Sequence, residues 1–303
     1  MTQTQPTLLV TGASGHLGRR VIELLLEAGI QPSAIIATTR TPEKLADFEA
    51  QDVHVRHANY DQAETLVEAF KGAERLLLIS LDVLDGRLPR QLNAVKAAEA
   101  AGVKHVLYTS LTNPDPSTPI TLAPDHWGTE NALRASGMGW TFLRNNVYAD
   151  GLVQTLAQAA QLGGLYNAVG DGKIGYVTRE DCARAAAAAL AADFNGQRVL
   201  DITGPAAVTQ AELAQIASEI SGKTITYVPL TPDVLKQNLS GAGLPQPIVE
   251  LLASFDEAGA LGKLDVVSNT VETLTGRKPT SVAEFLATQR EAVLGQVPAP
   301  EAG

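Results

Sequence analysis

The stretch TLLVTGASGHLGRR spaces Gly12, Gly15 and Gly18 three apart, between a short apolar run and a helical pattern. A turn of this composition can hold a pyrophosphate. Gly12 makes the tight exit from a strand, Gly15 removes a side chain where phosphate would approach, and Gly18 lets helix and strand pack closely. The helix that follows aims unsatisfied N–H groups at the anion. Ser14, His16 and Leu17 lie in the same turn and are expected to be cofactor contacts with the three glycines. The end of the second apolar run, IIATTRTPEKL, tests which nicotinamide cofactor fits. An acid there binds a free ribose 2′-OH, whereas a base accommodates a 2′-phosphate. Arg40 stands at that place between Thr39 and Thr41, with Lys44 one helical turn on, so NADP(H) is favoured over NAD(H). In HANYD, after the third run, Asn59 or Asp61 can reach an adenine edge, and Tyr60 is counted as a cofactor contact beside them.

Groups around a nicotinamide would come from the ends of the later apolar runs. LLLIS and VLYTS place Ser80, Thr109 and Ser110 there. The common short-chain reductase couples Ser or Thr to Tyr-x-x-x-Lys, whose lysine lowers the phenol pKa. No Tyr-x-x-x-Lys occurs in this sequence. DHWGTEN instead sets His126 and Glu130 four apart, on one helical face. Imidazole titrates in the useful range, so His126 is a candidate proton donor, with capping or packing as its alternative. RNNVYAD supplies Asn145, a candidate for the carboxamide or a substrate oxygen, and Tyr148, a candidate to stack on an aromatic acceptor. Asn146 between them is expected to line the same cleft, and Lys173 in GDGKIGYV is a candidate phosphate or nicotinamide contact. The catalytic candidates are His126, Tyr148 and Asn145, and no metal is expected.

Positioning these residues falls to alternating elements. Apolar runs at 7–11, 34–39, 53–57, 75–80, 105–110 and 140–144 alternate with helical patterns at 17–28, 42–49, 62–70, 89–101 and 126–136. Strands apolar nearly throughout, separated by helices, require a parallel sheet covered on both faces. The fold class is therefore α/β, a Rossmann-type doubly wound parallel sheet over residues 1–150. Residues 151–303 read as a smaller mixed α/β substrate domain laid by the carboxyl ends of the strands. GQRVLDIT in that half could return to the main sheet.

TGASGHLG, the arginine after the second strand, LLLIS, AAGVKHVLYTSL, DHWGTE, TFLRNNVYAD and GDGKIGYVTREDCA together resemble the NmrA-like atypical short-chain dehydrogenase/reductase family. The likeness is strongest to its bacterial NAD(P)H:quinone oxidoreductase 2 and triphenylmethane reductase branch. The C-terminal ETLTGRKPTSVAEFL resembles the same layout. The resemblance implies two domains, an NADP(H) site in the larger one and a cleft for a small aromatic or conjugated acceptor between them. Branches that use a lysine on the sixth-unit helix have it where this chain has Glu130. Quinone reduction tolerates that loss, because the acceptor gains aromaticity on taking hydride. Reduction of triarylmethane dyes, activated alkenes or imines is the alternative, as is an NADP(H)-sensing regulator without turnover. A sugar-nucleotide epimerase is disfavoured, since those enzymes usually keep the tyrosine–lysine pair.

A net charge of −10, from 33 acidic and 23 basic residues, disfavours nucleic acid as a partner. No run approaches the ~20 apolar residues needed to span a bilayer, and MTQTQPT lacks the basic and apolar segments of a secretory signal. A cytoplasmic protein is expected, with one cysteine, Cys182, in a reducing compartment. Apolar helical surface would support a homodimer. The tail GQVPAPEAG reads as a frayed end.

Overall fold

The computed structural model describes residues 6–297; most of the tail read as a frayed end lies outside them. The first half alternates β1 (Leu8–Val10), α1 (His16–Glu27), β2 (Ile35–Thr39), α2 (Ala46–Glu49), β3 (His54–His57), α3 (Ala63–Phe70), β4 (Arg75–Leu78), α4 (Arg87–Ala100), β5 (His105–Leu111), α5 (Ala123–Ala135) and β6 (Gly139–Asn145). Then come α6 (Leu152–Leu162), β7 (Gly164–Asn167), β8 (Lys173–Ile174), α7 (Arg179–Ala191), β9 (Gln197–Ile202), β10 (Val208–Thr209), α8 (Gln210–Ser221) and β11 (Thr226–Pro229). Five helices close the chain: α9 (Pro232–Gly241), α10 (Gln246–Ala260), α11 (Thr270–Thr275), α12 (Val282–Thr288) and α13 (Arg290–Val293).

One parallel sheet runs in the order β3-β2-β1-β4-β5-β6-β9, with its switch point between β1 and β4. The inner strands β1, β2, β4 and β5 are buried throughout because both of their sides are covered. The edge strands β3 and β9 are polar and partly exposed, so VHVRH is not the apolar strand its pattern predicts. Leu8 and Val10 join Ile35, Leu77 and Leu107 in a core under α1 and α7, while Leu9 joins Ile36, Leu76, Leu78 and Phe142 under α3, α4 and α5. Alternate residues of one strand thus serve opposite cores, as the pleat requires.

Residues beyond 150 contribute to this layer as well as leaving it. The strand from GQRVLDIT is β9, paired parallel with β6, and α7 shares the first core through Ala183, Ala186 and Leu190. Buried Arg75 of β4 secures the end of α7: its guanidinium donates to the carbonyls of Ala189, Leu190 and Phe194 at 3.2, 2.8 and 2.7 Å. A separate apolar cluster joins α6, β7, α8 and α12, through Leu156, Leu165, Leu213 and Leu286 among others. It forms the smaller mixed helical and strand region. Among the described residues no helix is long and apolar enough to cross a membrane.

Buried His105, at the head of β5, gives the fold a pH signature. Burial first, then the charges of Arg75 and Arg198, pull its imidazole from 6.5 down to about 4. The unfolded chain binds this proton more readily, so His105 costs stability as pH falls from about 6.5 towards 4, up to about 3 kcal/mol in all. Asp256, whose carboxyl burial pushes up to about 6, has the opposite sign. The informative readout is therefore a difference: the stability advantage of the native chain over His105→Gln, from urea unfolding, is expected to shrink steadily between those pH values. A constant difference would contradict it.

Candidate active site

The carboxyl ends of β1, β2, β4 and β5 open onto one cleft of about 710 Å³. Its floor is the glycine turn. Gly12 adopts φ +58°, in the left-handed region that favours glycine. A Cβ on Gly18 would stand 2.5 Å from the Gly12 carbonyl oxygen and 2.9 Å from Ala13 Cα, so only glycine fits there. The first turn of α1 holds no acidic side chain and Gly15, at its N-cap, makes no side-chain cap, which leaves the helix end suited to an anion. Ser14, His16 and Leu17 line the cleft with the glycines. Ser14 Oγ lies 2.7 Å from Thr39 Oγ1, joining the turn to the end of β2.

Arg40 follows Thr39 at the cleft wall, exposed, with Lys44 nearby. The short helix after β2 is held by Arg19, which donates to Asp47 at 2.6 Å and to the Lys44 carbonyl at 2.6 Å. Asn59, Tyr60 and Asp61 form the next part of the wall. Asn59 accepts from the Asp61 amide at 3.1 Å, and Arg90 donates to Asp61 at 2.6 Å. These residues fit a phosphorylated dinucleotide: glycine turn and helix end for the pyrophosphate, Arg40 and Lys44 for a 2′-phosphate.

Further along, Ser80, Thr109 and Tyr148 line the same cleft. The Ser80 amide donates to Thr109 Oγ1 at 2.8 Å, and Tyr148 is half-buried, with its Oη accepting from Asn145 Nδ2 at 3.0 Å. Asn145 itself is buried behind it. Burial is the main cause that raises the Tyr148 phenol above 10, so it stays protonated at neutral pH.

Several predicted residues lie elsewhere. His126 is 5 % exposed and outside the cleft lining, with Nδ1 2.9 Å from Tyr108 Oη and Nε2 2.9 Å from an Arg87 Nη. Burial, then the charge of Arg87, holds its pKa well below 6.5, so the imidazole is neutral and is not placed to protonate a substrate. Ser110 donates at 2.7 Å to Glu130, which is fully buried and also accepts from Arg134 at 2.7 Å and Arg144 at 2.8 Å. A carboxylate bound to two guanidiniums is a structural knot and cannot replace a catalytic lysine. Asn146 points its amide at the carbonyls of Leu264 and Val266, at 3.1 and 3.4 Å, tying β6 to the C-terminal segment. Lys173 is exposed on β8, which pairs with β10, and does not line the cleft.

The cleft also contains residues the linear reading passed over: Ile79, Leu81, Asp82, Val83 and Arg179. Arg179 arrives because Tyr148 and Val177 form a parallel bridge, and its guanidinium lies 5.8 Å from the Tyr148 ring centroid. The available signal was T-x-x-D at Thr178–Asp181, a helix start capped by the Thr178 side chain.

A parallel sheet with a glycine turn at its switch point and a base after its second strand defines a dinucleotide-binding fold of the reductase type. The chain belongs to the NmrA-like family, whose model matches residues 4–286. It is 38% identical to quinone oxidoreductase 2 of Escherichia coli over 280 residues, covering 92% of this chain and 97% of that one. A crystal structure of an Escherichia coli NADPH-dependent quinone oxidoreductase with NADPH superposes with TM-score 0.89 at 37% identity, covering 93% and 99% of the two chains. Triphenylmethane reductase of Citrobacter sp. complexed with NADP(H) gives 0.86 at 36% identity, covering 95% and 99%.

Proposed function

We propose that this chain is an NADPH-dependent oxidoreductase that passes hydride to a quinone or a similarly conjugated small acceptor. The observation that carries the reading is that one cleft unites the glycine turn, Arg40 and Tyr148. Its likeness to quinone and triphenylmethane reductases seen with the same cofactor supports the reading. Bound in the cleft, the reduced nicotinamide supplies the hydride. The protein's own part is to align donor and acceptor and to keep water out.

Tyr148 would do the rest. The Asn145 amide can only donate through its nitrogen, so the Tyr148 oxygen accepts and its O–H is left to donate to an acceptor oxygen. With its pKa raised, the phenol is a hydrogen-bond donor rather than a strong acid, which suits an acceptor driven by its gain of aromaticity. Tyr148→Phe is expected to lower kcat for a benzoquinone about tenfold with little change in NADPH affinity. An unchanged kcat would leave Tyr148 as packing.

The test of the function itself is NADPH oxidation against a panel of benzoquinone, naphthoquinone, a cationic triarylmethane dye, an activated alkene and an imine, with NADH in parallel. Turnover of a quinone, faster with NADPH than with NADH, is the expected result. Tight NADPH binding without turnover on any acceptor would overturn it in favour of a redox-sensing regulator.

A further inference from the structure

The chain leaving β4 is held by side chains rather than by a neighbouring strand. The Ile79 amide donates to Thr11 Oγ1 at 2.9 Å and the Ser80 amide to Thr109 Oγ1 at 2.8 Å. Leu81 is gripped on both sides of its backbone: its amide donates to Gln91 Oε1 at 3.2 Å, and its carbonyl accepts from Arg87 Nε at 2.8 Å. Behind Leu81 these two partners are joined to each other. Arg87 Nη2 contacts His126 Nε2 at 2.9 Å, His126 Nδ1 contacts Tyr108 Oη at 2.9 Å, and Tyr108 donates to Gln91 Oε1 at 3.4 Å. The bonds close a ring through Leu81.

The directions of the links through His126 follow from one fact: a guanidinium has no acceptor. Arg87 must donate, so His126 Nε2 is the bare nitrogen and Nδ1 carries the proton. Nδ1 then donates to Tyr108, and Tyr108 donates onward to Gln91. Gln91 turns its amide nitrogen to Thr129 Oγ1 at 2.8 Å, which in turn donates to the Asp125 carbonyl at 2.8 Å. Gln91, Tyr108 and Thr129 are fully buried, and Arg87 and His126 nearly so. Arg87 is within ion-pair distance of no carboxylate among the described residues. Burial outweighs the attraction of Asp125 and Asp82 and lowers the Arg87 pKa, so desolvation of the guanidinium makes it a poor source of stability. Its value is then in what it orients.

We propose that Arg87, Gln91, Tyr108 and His126 are positioning residues of the cofactor site: their ring sets the course of Ile79 to Val83, the cleft wall beside the glycine turn. This inference rests on the cofactor reading above. None of the four ring residues lines the cleft; Ile79, Ser80, Leu81, Asp82 and Val83 do, and the ring acts through them.

Two measurements on the full chain test it. Amide exchange without cofactor is expected to show Leu81 protected in the native protein and exposed faster in Tyr108→Phe, which removes one oxygen and almost no volume. NADPH titration is expected to show Kd raised about tenfold in Tyr108→Phe and in Arg87→Met, with Arg87→Lys, still able to donate to Leu81, falling between. Imidazole nitrogen NMR of the native chain should show His126 protonated at Nδ1. Folded variants with native Kd and native Leu81 exchange would overturn the proposal, as would a His126 protonated at Nε2. Should Arg87→Met fail to fold, Tyr108→Phe carries the same test. A native chain that does not bind NADPH would sink the cofactor reading, while Leu81 exchange would still decide whether the ring holds the wall.

Discussion

Gly18→Ala is expected to raise the Kd for NADPH by more than about a hundredfold while the protein remains folded. The added Cβ would meet the Gly12 carbonyl oxygen at 2.5 Å and Ala13 Cα at 2.9 Å, both backbone atoms that cannot rotate away. The turn must move instead. A displacement of about 1 Å in groups that position a reacting centre is enough for a loss of this size. Gly15→Ala separates two effects: its Cβ meets only the Gly12 oxygen at 3.3 Å, so the turn itself should hold its shape, and any loss of affinity there would come from crowding the pyrophosphate. Fluorescence titration with NADPH, alongside urea unfolding, separates lost binding from lost folding. A folded Gly18→Ala chain with native affinity would remove the turn from the cofactor site.

Arg40→Ala should act on the choice of cofactor rather than on binding in general. The ratio of kcat/KM for NADPH over NADH is expected to fall about thirtyfold, through NADPH alone. Arg40 is exposed at the cleft wall, whereas the neighbouring Arg19 and Arg90 are engaged by Asp47 and Asp61. No carboxylate at the end of β2 takes over ribose recognition once the guanidinium is gone, since β2 ends Thr38, Thr39. An Arg40→Ala ratio equal to the native one would move phosphate recognition to Lys44 or elsewhere.

That the glycine turn and Arg40 would share one cleft was legible in the sequence because their placement is local. Gly12, Gly15 and Gly18 act through backbone conformation within seven residues, and Arg40 is placed by the end of the strand that precedes it. The chemistry half was less legible. His126 and Glu130 share a helical face, as their spacing requires, but that face turns inward onto β5. Tyr108 and Ser110, two apart and so on one side of the strand, meet them there as hydrogen-bond partners. Period 3.6 on a helix and period 2 on a strand each say which residues travel together. Neither says which way the shared face looks.

The sequence by itself determined the order of elements, the parallel sheet, the glycine turn and the base that follows the second strand. All of these follow from short-range patterns of apolar, glycine and charged residues. The tertiary structure alone decided which polar side chains reach the cleft. It buried His126 and Glu130, placed Lys173 on a separate small strand pair, and brought Arg179 beside Tyr148 through the Tyr148–Val177 bridge. Burial and approach between residues far apart in the chain depend on how whole layers pack, and no local pattern encodes that.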